Sequence, residues 1–115
     1  MADDVIFVNF DEGVKRVMNN NAFYIKMLNK FKAEDNLKKL AEAIEAQDME
    51  NAQVAAHTLK GLAANLSLTE LYKQSMEIEG QIKARSVNPD QINILKNVYD
   101  TTLSEVEKVI AQYGG

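Results

Sequence analysis

Histidine occurs once in the 115-residue chain, at position 57, and cysteine does not occur. Without thiols there are no disulfide scaffolds, thiolate metal sites, iron–sulfur clusters or cysteine nucleophiles. A single imidazole also excludes sites that need two, and the Glu-x-x-His pair of di-iron bundles. No Gly-rich phosphate loop, nucleophile–base pair or metal-ligating cluster stands in the sequence, so an independent kinase or hydrolase lacks its parts. On a helical wheel Ala52, Ala55, Leu59, Leu62, Ala63 and Leu66 fall within an arc of about 80–100°, the stripe of a core-facing helix. His57 lies about 165° from the centre of that stripe, beside Gln53, Val54, Lys60, Gly61 and Ala64. Gly61, one turn after His57, costs its helix about 1 kcal/mol relative to Ala. The bland account is an inert surface histidine, a solvated lysine and a tolerated defect. The chemical account is that the missing side chain lets another protein's backbone approach the imidazole, and that Lys60 reaches whatever the ring carries. An exposed His, a Lys and a gap form a coherent site for a phosphoryl group borne on nitrogen.

Helices must position these residues. The chain has five Gly, and its only Pro is Pro89, so little interrupts helical periodicity. Val5 to Val8 form an apolar strap, expected to cross the end of a bundle within an N-terminal segment 1–9. Phe10, Val14, Val17 and Met18 mark a short first helix ending at Asn19-Asn20-Asn21, residues that cap well. Phe23, Tyr24, Met27, Leu28 and Phe31 line a second. Its stripe is out of phase with Leu37, Leu40, Ala41 and Ile44 by roughly a third of a turn, which predicts a kink or break near Asp35-Asn36. Asp48 caps the helix that carries His57. Ser67-Leu68-Thr69-Glu70 reads as a capping box opening a helix through Leu71, Ser75, Ile78 and Ile82. Asn88-Pro89 starts the last helix, lined by Ile92, Leu95, Tyr99, Val106 and Ile110. Short connections favour antiparallel neighbours. The expected fold is all-α, an up-and-down antiparallel four-helix bundle with a short additional N-terminal helix, over residues 1–115 as one domain.

With 46% hydrophobic and 26% charged residues, the composition is that of an ordinary globular domain. A net charge of -4 disfavours non-specific binding to nucleic acid or an anionic membrane. No apolar run approaches a membrane span, and Met1 to Asp4 carries acids where a signal peptide carries bases. The expectation is a self-contained cytoplasmic chain acting as a monomer.

Ala56-His57-Thr58-Leu59-Lys60-Gly61, followed by Ala64-Asn65-Leu66-Ser67-Leu68-Thr69-Glu70-Leu71, closely resembles the phosphoacceptor motif of histidine-containing phosphotransfer (HPt) domains. These are four-helix bundles that relay phosphate in two-component signalling. The likeness takes in the helix pair upstream, through Phe31, Leu37 and Leu40. One position departs: the loop residue held here by Ser67 is often Gly in that family, which suggests an alternative turn. The resemblance implies that His57 accepts a phosphoryl group from a receiver aspartate, or from a kinase, and passes it to a response-regulator receiver. It implies a phosphocarrier without autokinase activity, whose partners are receiver domains and a sensor or hybrid histidine kinase. It implies no cofactor and no metal here, Mg²⁺ belonging to the receiver. A non-catalytic helical scaffold is the alternative.

The neutral ring must present Nε2 outward, so a partner should hold the Nδ1 proton. If the turn centres near Ser67, His57 and Glu79 lie within about one turn of the same level on antiparallel helices. Side chains tilt toward helix N-termini, so these two lean together. In the family this position usually carries Gln or Glu. Lys60 would neutralise charge on the phosphoryl group. Tyr72 and Met76 edge away from the core stripe, and with Val54 and Ala64 are candidates for a small docking patch around His57.

Overall fold

A computed structural model describes residues 5–114, which form six helices and no strand. Met1 to Asp4, part of the expected strap, and Gly115 lie outside the described residues. The helices are α1 (Phe10–Arg16), α2 (Asn21–Phe31), α3 (Asn36–Glu45), α4 (Met49–Asn65), α5 (Thr69–Lys83) and α6 (Pro89–Tyr113). Their starts follow the side chains. Asn9, Asn20, Asp48 and Asn88 each accept a hydrogen bond from an amide of the first turn, and Pro89 sits at the start of α6.

α4 packs between α3 and α5, α5 packs on α6, and α6 carries α2 on its other flank. The helical bundle is built around Leu40, Leu59, Leu71, Ile78, Leu95 and Val106, all fully buried. At 1.5 Å per residue α6 is about 37 Å long, most of the 42 Å long axis, and serves as the strut of the bundle.

The kink expected near Asp35-Asn36 is a complete break. Glu34 makes it: one carboxylate oxygen accepts from the Asn36 amide at 2.7 Å and from its side-chain Nδ2 at 2.8 Å, and the other accepts from the Tyr99 hydroxyl. The start of α3 is thus satisfied by Glu34 rather than by Asp35, whose side chain caps nothing. The first helix is shorter than its apolar pattern suggests. It ends at Arg16, and Met18 is exposed at positive φ in the turn to α2.

The capping box at Ser67 is not formed. α5 begins one residue later, Leu68 holds the cap position, and no side chain caps it. The turn closes instead from the α4 side. The Leu68 amide donates to Ala63 O and the Ser67 amide to Ala64 O, a Schellman pair that puts Ser67 at φ 56°. A left-handed residue is required there, and this is the physical reason a glycine suits the position. The N-terminal segment holds this turn in place. The Asn9 amide donates to Ser67 O, Thr69 donates to Ile6 O, and the Ser67 hydroxyl donates to Glu12 while accepting from Arg16. Tyr24, fully buried, donates to Leu66 O at 2.6 Å. Burial and then the nearby Glu12 raise its pKa to about 12, so the hydroxyl keeps its proton.

Candidate functional site

The antiparallel α4–α5 pair is the most extensive helix contact in the molecule, and it carries the candidate residues on its outer side. The α4 stripe faces inward, with Ala52, Ala55, Leu59, Ala63 and Leu66 buried. Leu62, placed in that stripe by the wheel, is half-buried at the margin, and Ala56, outside the stripe, is also fully buried. His57 points the other way, its side chain 69% exposed.

Glu79 comes up on α5 at the level of His57. It is 3% exposed, so an acidic residue is embedded at the helix seam. Its two oxygens have different company. Oε1 takes the Lys60 ammonium at 2.6 Å, while Oε2 lies 3.0 Å from His57 Nδ1 and 3.7 Å from Lys83 Nζ. Burial pushes the Glu79 carboxyl up, but hydrogen bonds from Lys60 and His57 and the charges of Lys60 and Lys83 outweigh it. The net result is below the ordinary carboxylate range. The same contact, a hydrogen bond to Glu79, raises Lys60. Glu79 is therefore ionised at neutral pH and can only accept. A neutral His57 then carries its proton on Nδ1, donates it to Oε2, and leaves the Nε2 lone pair facing solvent. A nucleophilic nitrogen, fixed in one tautomer and flanked by ammonium groups, suits transfer of an anionic electrophile.

Gly61 is exposed, and a Cβ built on it would meet nothing within 4 Å. Among the described residues no contact requires glycine there, and what it leaves is open space beside His57. The four apolar candidates fall on two sides of His57. Ala64, Tyr72 and Met76 line a groove on the side of His57 nearer the α4–α5 turn, with Glu12 and Arg16 of α1 on its rim. Val54 lies on the opposite side, sharing a hollow with His57, Glu79 and Lys83. Lys83, which is not among the sequence candidates, also faces Glu79. Its signal was its place one turn after Glu79 on the same face of α5.

Among the described residues no three His, Asp or Glu side chains converge as metal ligands, and no helix is long and apolar enough to cross a membrane. Comparison with curated proteins and with solved structures gives no match. A family model matches residues 27–109, and its description is Hpt domain.

Proposed function

Because the chain belongs to the Hpt domain family, whose members are histidine phosphocarriers of two-component phosphorelays, we propose that His57 is the residue that carries the phosphoryl group. The observation that supports this most is the pairing of an exposed imidazole with a buried, ionised carboxylate at 3.0 Å from Nδ1. The Nε2 lone pair attacks the phosphorus of a receiver's aspartyl phosphate. An N–P bond forms as the P–O bond to the aspartate breaks, and that carboxylate leaves with the electron pair. His57 keeps its Nδ1 proton, so the ring becomes positive as the bond forms, and Glu79 faces the nitrogen on which that charge is shared. The positive ring is in turn a good leaving group, so the reverse attack by a second aspartate regenerates neutral His57.

Lys60 stands on one side of the ring to offset charge on the phosphoryl oxygens. The open space over Gly61 admits the receiver's loop, and the groove of Ala64, Tyr72 and Met76, with Val54 beyond His57, meets its surface. The partners are response-regulator receiver domains and a sensor or hybrid histidine kinase, with the metal ion supplied on the receiver side. The chain works as a monomeric cytoplasmic carrier, one domain over residues 1–115.

The test is incubation with a receiver phosphorylated on its aspartate. The wild type gains acid-labile, base-stable label, and His57→Gln gains none while keeping its helical circular dichroism. Gly61→Gln also keeps its fold, because the position is exposed and its Cβ meets nothing within 4 Å, and loses most of its transfer rate. Label on His57→Gln would overturn the assignment, and normal transfer by Gly61→Gln would overturn the access argument.

A further inference from the structure

Glu79 is bracketed by two lysines that differ in how firmly they are held. The Lys60 ammonium lies 2.6 Å from Oε1, with its side chain only 25% exposed. The Lys83 ammonium stands off at 3.7 Å from Oε2, beyond hydrogen-bond length, on a side chain 56% exposed. Lys60 lies on the side of His57 nearer the α4–α5 turn. Lys83 springs from the last turn of α5, on the far side of His57, and its stem leans back along α5 toward the level of the ring. It lines the same open hollow as His57 and Glu79.

A neutral His57 leaves one carboxylate facing two ammonium groups, a local surplus of one positive charge. A phosphoryl group on Nε2 brings two negative charges into that space at neutral pH. Glu79 cannot move to it, being buried and tied by Lys60. Lys83 can, because it gives up only a long contact and has open space to cross. Resting on the carrier reading above, we propose that Lys83 is a second phosphoryl-binding cation, which leaves Glu79 and turns onto the phosphoryl group once His57 carries it. Its departure has a further effect. Glu79 Oε2 is then left to His57 Nδ1 alone, so the carboxylate acts undivided on the ring that has become positive.

Phosphoramidate isolates this step from partner docking: His57 Nε2 attacks its phosphorus, the N–P bond of the reagent breaks, and ammonia leaves with the electron pair. The phosphorylated protein is then followed by phosphorus NMR as pH is varied, reading the midpoint at which the phosphoryl oxygens take up a proton. A nearby ammonium holds that midpoint down. Lys83→Gln should raise it by about half a pH unit, Lys83→Arg should restore it, and Lys108→Gln on α6, which removes the same charge elsewhere, should leave it unmoved. A midpoint unchanged in Lys83→Gln, or moved equally by Lys108→Gln, would overturn the role of Lys83 while leaving His57 as the carrier. A wild type that takes no phosphoryl group from phosphoramidate would overturn both.

Discussion

Two oxygens of Glu79 serve three neighbours, and the consequences are those of a buried charge kept by its partners. Removing a carboxylate from water is costly, and here hydrogen bonds from Lys60 and His57 offset that cost. The folded carboxyl therefore releases its proton at lower pH than the same group in the unfolded chain. As pH falls, the unfolded chain takes up the proton first. The stabilisation is complete above the ordinary carboxylate range, declines as pH falls through the lowered folded value, and is gone below it. Melting temperatures of the wild type and of Glu79→Gln, measured from neutral to acid pH, should differ most at neutral pH and converge in acid. A gap of constant size across that range would mean that the ionised carboxylate contributes nothing to the fold. Glu79 is legible in the sequence as a residue within about one turn of the level of His57, but its burial is not. A lone acid at the flank of a helix is normally solvated, and only the packing of α4 on α5 covers this one.

At the scale of elements, the turns explain both what was readable and what was hidden. The helices and their N-terminal caps follow from Asn20, Asp48, Asn88 and Pro89, whose side chains act within four residues of their own position. The C-terminal ends gave no comparable signal. α3, α4 and α5 all close with a left-handed residue and a Schellman pair, at Gln47, Ser67 and Arg85, where no glycine marks the place. Ser67 with Glu70 matched a capping box, yet the α4 end took Ser67 for its own closure and shifted the start of α5 by one residue. This predicts an order of stabilities at position 67. Ser67→Gly loses the hydroxyl's contacts to Glu12 and Arg16 but relieves the left-handed strain, whereas Ser67→Ala loses the contacts and keeps the strain. The Gly variant should be more stable than the Ala variant by about 1 kcal/mol, the reverse of their order in a helix interior. Denaturant melts of the two decide it, and an Ala variant at least as stable as Gly would contradict the geometry assigned to the turn.

Over the whole molecule, elements far from His57 are tied to the α4–α5 pair. Tyr24 reaches from α2 to Leu66 O, α1 contacts Ser67 through Glu12 and Arg16, and α6 packs on α5. The outer face of α4 and α5 is left uncovered, and there His57 meets solvent. His57 is thus presented on the outer side of the α4–α5 pair, and the proposed carrier role turns on which of its two nitrogens takes the phosphoryl group. The most direct measurement is nitrogen-15 and phosphorus NMR of the labelled, phosphorylated protein. The account predicts one phosphoryl group bonded to Nε2 of His57, with Nδ1 still protonated and facing Glu79. A phosphoryl group on Nδ1, or on any residue other than His57, would contradict it.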